Sequence, residues 1–357
     1  MVISPRIKGF ICITAHPDGC RENVRRQMEY VEKNGRTENG PKNVLIIGAS
    51  TGYGLASRIA LAFGSGANTL GIMFEKNATA TRTATPGYYN TAAFEEFAKE
   101  KGLYAETING DAFSVECKEQ TIQKIREDLG KVDMVIYSLA APRRTTPDGT
   151  TYTSVLKPVG EPFTNLSWNA KDNSLTTVTL EPANEEEVAA TVKVMGGEDW
   201  SDWIDALHDA DVLSEHAVTV AYSYIGPELT YPIYKEGTIG MAKKNLKECS
   251  DRINEKYQDA GIRSYVSVNK AVVTQASAAI PVVPLYFMIL YKVMKAKNLH
   301  EGCIEQMDRL FRQKLTGTHA EQDAEGFIRM DDWELREDVQ AEVMEAWNKI
   351  TETELSE

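Results

Sequence analysis

The sequence predicts an α/β protein with a parallel sheet and flanking helices. Three observations predict it. An apolar run, Val44-Leu-Ile-Ile47, enters a glycine-rich turn, Gly48-Ala-Ser-Thr-Gly-Tyr-Gly54, and helix-spaced apolar residues follow over 55–62. Between 44 and 141 short apolar runs alternate with helical stretches, the rhythm of βαβ units. That rhythm breaks over 142–185 and then resumes.

With 357 residues, 42% hydrophobic and 25% charged, the chain has an ordinary globular composition and the length for two domains or one large α/β domain. A net charge of −13 argues against nonspecific nucleic-acid binding, although local N–H groups can still hold a phosphate. Cys12, Cys20, Cys117, Cys249 and Cys303 are scattered, odd in number and without C-x-x-C. They predict reduced thiols in a cytoplasmic protein, with no disulfide framework and no zinc site. Charges interrupt the apolar start of the chain, so no signal peptide is expected. The uncharged stretch 271–291 contains Thr274, Gln275, Ser277, Pro281 and Pro284. It is too broken for a membrane helix, which needs about 20 mostly apolar residues. It predicts a buried strand, a turn and an apolar helix from about Pro284.

The elements follow in order. A polar helix over 19–33 comes after a short apolar start. Strands at 44–47, 69–74, 104–109 and 134–139 alternate with helices at 55–63, 89–101 and 118–129. Residues 142–185 begin with a turn-rich stretch, Pro142-Arg-Arg-Thr-Thr-Pro-Asp-Gly-Thr150, and continue with alternating runs such as 175–180, which predict an inserted hairpin region. Helices at 185–195 and 200–210, a strand at 217–225, a long helix at 237–258 and a strand at 263–268 restore the α/β pattern. A helical tail covers 299–314 and 331–350. No internal repeat is present.

The glycine turn carries the first chemistry. A strand, a tight turn and a helix start place bare N–H groups and a helix N-terminus where a pyrophosphate can sit. The spacing Gly48-x-x-x-Gly52-x-Gly54 departs from G-x-G-x-x-G and matches the short-chain dehydrogenase/reductase group. Glu75, about 20 residues further on at the second strand end, fits the place where a carboxylate takes both ribose hydroxyls and repels a 2′-phosphate. NADH is therefore expected over NADPH, against a plain solvated glutamate beside Lys76. Asn109-Gly-Asp111-Ala112 and Ser138-Leu-Ala-Ala-Pro142 close the next two strands, where a cofactor would pass; each also reads as an ordinary turn.

Proton chemistry falls to the second half. Strand alternation puts Tyr222 and Tyr224 on one face. Two tyrosine–lysine pairings then compete. Tyr231 and Lys235 share one face of a helix. Tyr234 and Lys243 lie nine steps apart, opposite each other on a straight helix turning about 100° per residue. They meet only if the helix starts after Tyr234, as Gly237 and Thr238 allow. Local pattern slightly favours Tyr231 and Lys235.

The chain resembles the trans-2-enoyl-CoA reductase and FabV-type enoyl-ACP reductase family. The resemblance rests on His16-Pro-Asp-Gly-Cys20, Gly48–Gly54, Tyr137-Ser-Leu-Ala-Ala-Pro-Arg143, Val194-Met-Gly-Gly-Glu-Asp-Trp200, Ala221-Tyr-Ser-Tyr-Ile-Gly226, Val272-Val-Thr-Gln-Ala-Ser277 and Met330-Asp-Asp-Trp-Glu-Leu335. It spans essentially the whole chain. It reverses the local preference, because the family carries Tyr-x8-Lys, here Tyr234 and Lys243. The resemblance implies an extended Rossmann fold and a cofactor site of Gly48, Ala49, Ser50, Thr51, Gly52, Tyr53, Phe74, Glu75, Asp111, Ala112, Leu139, Ala140, Lys243, Val272, Val273 and Thr274. It implies Tyr224 as a substrate contact and Tyr234 as proton donor. Gly87-Tyr-Tyr-Asn90 stands where the family commonly has Gly-Trp-Tyr-Asn, and family members run past the position of Glu357.

The expectation is a cytoplasmic, monomeric, bacterial-type NADH-dependent reductase of enoyl thioesters on coenzyme A or acyl carrier protein, acting in fatty acid biosynthesis. Residues 1–141 would form the cofactor half, 142–330 the substrate part on the same sheet, and 331–357 a helical segment. The alternatives are a carbonyl reductase using Tyr231 and Lys235, and a silent NAD(H)-binding regulator. Tyr286, Phe287 and Met288 are expected either as core or as acyl-pocket wall. His16 and Cys20 lack further ligands, so turn capping is expected and no metal. No flavin motif is seen, and FAD is not expected.

Overall fold

Runs with apolar side chains on alternate positions of both faces form the centre of a seven-stranded parallel sheet. The computed structural model describes residues 4–8, 11–12, 14–169, 174–273 and 282–351. The strands are β1 (Asn43–Ile47), β2 (Asn68–Met73), β3 (Ala105–Asn109), β4 (Val132–Tyr137), β5 (Leu213–Ser223), β6 (Arg263–Val268) and β7 (Phe327–Arg329). Their spatial order is β7-β6-β5-β4-β1-β2-β3. The order reverses at β1, which pairs with β2 on one side and β4 on the other. Ile47 lies level with Ile72 and Tyr137, so neighbouring strands end together. Ligands of such sheets bind at the carboxyl edge where the order reverses.

The helices are α1 (Pro17–Lys33), α2 (Gly52–Ile59), α3 (Pro86–Glu100), α4 (Val115–Asp128), α5 (Glu185–Met195), α6 (Glu198–Asp209), α7 (Thr238–Lys256), α8 (Val283–Ala296), α9 (Cys303–Arg309) and α10 (Glu337–Lys349). Strand alternation divides the core. Val44 and Ile46 face a layer containing Leu55, Ile59, Phe94 and Leu310, while Leu45 and Ile47 face Ile125, Trp200, Trp203 and Ile253. A third apolar cluster joins Tyr234, Ala271, Tyr286, Leu290, Val339, Val343 and Trp347 beyond the ends of β5 and β6. The inserted region forms two antiparallel hairpins, Arg143–Thr145 with Thr151–Thr153 and Phe163–Asn169 with Ser174–Leu180. Leu166 and Trp168 of the second pack on the third cluster. A short pair, Ile7–Lys8 with Ile11–Cys12, precedes α1.

Several boundaries differ from the sequence pattern. β5 begins at Leu213, ahead of the predicted 217, because its register against β4 shifts between Leu213 and Val218. It ends at Ser223. Tyr222 and Tyr224 therefore do not share a neighbourhood: Tyr222 is packed in the layer with Leu55, and Tyr224 lies past the strand end against the third cluster. α2 and α9 each run on into a π-helical turn, Ala60–Ser65 and Leu310–Lys314. The tail contains strand β7, whose charged flanks hide it, and α10 starts only at Glu337. Residues 331–336 form a turn instead, with Asp331 and Glu334 fully buried. The expected strand and turn before Pro284 fall largely on 274–281, outside the described residues; α8 begins at Val283.

His16 caps α1, its Nδ1 accepting the Gly19 N–H at 3.0 Å. Cys20, Cys117, Cys249 and Cys303 are free thiols. Among the described residues no His, Cys, Asp and Glu cluster could hold a metal ion, and no helix is long and apolar enough to cross a membrane.

Trp203 of α6 is fully buried, and its indole N–H donates to the Ala112 carbonyl at 3.1 Å, fixing the turn after β3. Trp203→Ala should cost about 3–5 kcal/mol of unfolding free energy. Urea denaturation checks it, and a loss under about 1 kcal/mol would refute the packing role.

Candidate active site

The turn after β1 is built from backbone contacts that exclude side chains. Gly48 has φ +88°, and a Cβ there would lie 2.2 Å from the Ser138 carbonyl oxygen at the end of β4. A Cβ on Gly54 would lie 1.9 Å from the Gly48 carbonyl oxygen. The loop therefore nests between β4 and the start of α2. Thr51, the N-cap residue, makes no side-chain cap, and the first turn of α2 carries no acidic group. Its leading N–H groups are left for an anion in the crevice where the strand order reverses.

Of the predicted cofactor residues, Ser50, Glu75 and Leu139 are tied to that turn directly. Phe74 is 79% exposed and Val273 61% exposed, two large apolar side chains left uncovered past the ends of β2 and β6. Glu75 is held from both sides. Its backbone N–H donates to Asn109 Oδ1 and its carbonyl accepts from Asn109 Nδ2. Its carboxylate accepts from Ser50 Oγ at 2.6 Å and from the Thr85 hydroxyl. A carboxylate has about four lone-pair sites, so acceptor capacity for two ribose hydroxyls remains. Asp111 Oδ1 accepts the Phe113 N–H at 3.0 Å, bracing its own turn. Ala112 is buried, Leu139 half-buried beside Gly48, and Ala140 exposed. Ala49 is buried, Thr51 and Gly52 are exposed, and Val272 is half-buried. The Tyr53 hydroxyl is committed to the Lys270 carbonyl at 2.6 Å. Thr274 lies outside the described residues. Exposed apolar side chains, a ribose-type carboxylate and an uncapped helix start fit a dinucleotide.

The candidate tyrosine and lysine lie around the end of β5, through Tyr224 and the Tyr222 carbonyl. Residues 231–235 form a turn, and α7 starts at Thr238 behind Gly237. A Cβ on Gly240 would lie 2.2 Å from the Tyr234 carbonyl oxygen, so the glycines let this turn fold down onto the first turn of α7. Tyr234 thereby precedes the helix and Lys243 lies within it. Tyr234 is buried, its ring edge-on to Tyr224 at 4.6 Å between centroids. Burial, with Glu334 nearby, raises its pKa above the ordinary phenol value, so it is held protonated. Among the described residues its hydroxyl has no hydrogen-bond partner. Lys243 Nζ donates to the Tyr222 carbonyl at 2.9 Å, and desolvation lowers its pKa from 10.5 to about 8. The rival pair forms a different contact: exposed Lys235 lies over the Tyr231 ring at 4.6 Å, a surface cation–π pair off the helix.

Sequence reasoning missed Glu334. It is fully buried and accepts from Tyr224 at 2.9 Å, from Tyr286 at 2.7 Å and from the Ala271 N–H at 2.7 Å. Its place between Trp333 and Leu335 was the only sequence signal, and a predicted helix covered it. Tyr286 and Phe287 are buried in the third cluster, and Met288 is half-buried. Phe287 packs edge-on against Tyr224 at 6.1 Å.

A Rossmann-type parallel sheet with a glycine-turn crevice at its carboxyl edge defines the class, a dinucleotide-binding α/β protein. Family models match over most of the chain: "Trans-2-enoyl-CoA reductase catalytic region" over 82–316, "NAD(P)H binding domain of trans-2-enoyl-CoA reductase" over 2–80 and "Enoyl reductase FAD binding domain" over 322–357. An enoyl-[acyl-carrier-protein] reductase [NADH] of Cytophaga hutchinsonii is 56% identical, over 100% of this chain and 90% of its own length. A trans-2-enoyl-CoA reductase [NADH] of Ruminiclostridium cellulolyticum is 55% identical, over 98% and 88%. The crystal structure of Clostridium acetobutulicum trans-2-enoyl-CoA reductase in complex with NADH superposes with a TM-score of 0.96 at 46% identity, covering 100% of this chain and 90% of that one. The chain belongs to the trans-2-enoyl-CoA reductase family.

The third model's flavin does not fit the residues present. In 322–351 the one glycine, Gly326, lies in a turn before β7, and α10 buries Val339, Val343 and Trp347 against α8. Glu334 and Asp331 are taken up by partners within the chain. No step is derived through a flavin.

Two predictions follow from this geometry. Glu75→Ala should narrow the preference for NADH over NADPH by about tenfold or more, read as the ratio of Kd values; an unchanged ratio would remove the ribose role. For Lys243 the folded pKa lies below the unfolded one, so the native chain binds fewer protons between about pH 8 and 10.5. Its linked stability therefore grows as pH rises through that window and is lost as pH falls through about 8. Urea midpoints at the two ends of the window should show this rise in wild type and not in Lys243→Met; equal pH slopes would contradict the buried ammonium.

Proposed function

We propose that this chain reduces the 2,3 double bond of trans-2-enoyl thioesters with NADH, with Tyr234 as proton donor and Lys243 as its partner. The observation that carries the assignment is the contrast between two phenols packed edge to face. The Tyr224 proton is given to Glu334, while Tyr234 is buried, protonated and uncommitted. The names of the relatives, enoyl-[acyl-carrier-protein] reductase [NADH] and trans-2-enoyl-CoA reductase [NADH], support the reaction and both carriers.

The α2 N-terminus would hold the pyrophosphate, Glu75 the adenosine ribose, and Phe74 and Val273 would line the groove. Bound NADH supplies a hydride to the β-carbon of the enoyl group. The thioester oxygen then carries the negative charge. Tyr234 would stabilise that charge and give up its proton, and Tyr224, its hydroxyl committed to Glu334, would contact the substrate beside it. Loss of one such donor costs about 10²–10³ in rate. Lys243, whose own pKa burial lowers to about 8, would favour the phenolate left behind and so ease release of the Tyr234 proton. We infer that 1–141 serves the cofactor and 142–330 the substrate on one continuous sheet, with 331–357 supporting them. A cytoplasmic monomer in fatty acid biosynthesis completes the reading.

Wild-type protein mixed with NADH and crotonyl-CoA should consume NADH, seen as falling absorbance. Tyr234→Phe should lose turnover by about 10²–10³ while NADH still binds, and Tyr231→Phe should retain it. Tight NADH binding without turnover would identify a silent regulator instead. A full rate in Tyr234→Phe, or its loss in Tyr231→Phe, would move the donor to another group.

A further inference from the structure

We propose that Glu334 is a positioning residue for the reduction, its buried carboxyl group orienting Tyr224 and Tyr286 so that Tyr234 is presented with its proton free. The inference rests on the reductase reading above. Three donors converge on this one side chain from three elements. Tyr224 comes from the loop after β5, Tyr286 from α8, and the Ala271 N–H from the segment after β6 that leads to Val272 and Val273. The Gln340 amide of α10 donates to the Glu334 carbonyl at 2.7 Å and to the Tyr286 hydroxyl at 3.3 Å, bracing the hub from behind.

A phenol has one proton to donate. In this arrangement Tyr224 spends it on Glu334, so its ring is fixed in rotation and direction. Tyr234 packs edge-on to that ring at 4.6 Å and takes its own orientation from it. Phe287 meets the same ring from another side. Without the Glu334 acceptor, the Tyr224 hydroxyl is free to turn toward Tyr234 or the substrate oxygen, and the division of labour between the two phenols is lost. The carboxyl group is buried at the junction of cofactor loop, tyrosine pair and acyl-side helix, a place where an ionisable group costs stability unless its partners need it.

The test compares wild type, Glu334→Gln, Tyr224→Phe and the double variant in steady-state reduction of crotonyl-CoA, with NADH Kd from fluorescence. Glu334→Gln should lower kcat about tenfold or more, with NADH Kd unchanged within about twofold. In the Tyr224→Phe background the same change should add little, because the hydroxyl it positions is already gone. A double variant slower than Tyr224→Phe by the full single-variant factor would overturn the inference, since the carboxyl group would then act on the fold alone. A wild-type rate in Glu334→Gln would overturn it as well. Glu334→Asp keeps the carboxyl group and shortens the reach; it carries the same expectation where the glutamine variant does not fold. Wild-type protein that leaves NADH unconsumed overturns the reductase reading and this inference together, whereas active wild type with an unaffected variant overturns the inference alone.

Discussion

The close approach of backbone at Gly48, Gly54 and Ser138 is the constraint on which the rest of the site depends. It lets the end of β1, the end of β4 and the start of α2 occupy one narrow junction, so the α2 N-terminus opens on the crevice. From α2 the coupling runs outward through side chains. The Tyr53 hydroxyl reaches the Lys270 carbonyl, and Ser57 bonds the Tyr222 hydroxyl at 2.5 Å. Tyr222 in turn offers its carbonyl to Lys243. The helix that would bind the cofactor phosphates and strand β5 are thus fastened by the same few residues. A shift in the glycine turn would be felt at Lys243, although the two are far apart in the chain.

What could be read from the sequence follows the range over which each signal acts. β1 to β4 and the helices between them are strongly periodic, and a parallel sheet buried on both faces leaves continuous apolar runs. The glycine turn was legible because its local geometry admits no side chain. Glu75 was legible from its distance to that turn. Asn109, which clamps Glu75 from the next strand, carried no such signal, because its partner is 34 residues away. β7 and the 331–336 turn were hidden for a related reason. Their acidic and basic residues look solvated in sequence, yet Arg329 pairs with Asp331 and Asp323, and Asp331 is fully buried. Charge read along one segment says nothing of the counter-charge that folding brings to it.

The buried polar groups near the tyrosines share one electrostatic pattern. Burial pushes the phenols of Tyr53, Tyr222, Tyr224, Tyr234 and Tyr286 up and the ammonium groups of Lys243 and Lys270 down. Glu334 is likewise pushed up by burial. Each shift favours the neutral form, as a low-dielectric site requires. Such a site strengthens any hydrogen bond aimed at a charge that develops during reaction, because little water competes for it.

The proposed pairing of Tyr234 with Lys243 turns on where α7 begins. Nine positions apart on a straight helix, the two residues would face away from each other. The conflict disappears because the helix has not begun at Tyr234. Gly237 and Gly240 remove the side chains that would hold the preceding turn away: a Cβ at either would lie 2.2 Å or less from a carbonyl oxygen of Ile233 to Lys235. The turn collapses onto the first turn of α7, so Tyr234 precedes the helix while Lys243 lies within it, anchored to the Tyr222 carbonyl. Tyr231 and Lys235, the pair that helical spacing favours, never share a helix, so their four-residue spacing produces only a surface contact. The boundary of one helix, set by two glycines, goes with the burial of Tyr234, while Tyr231 stays half-buried.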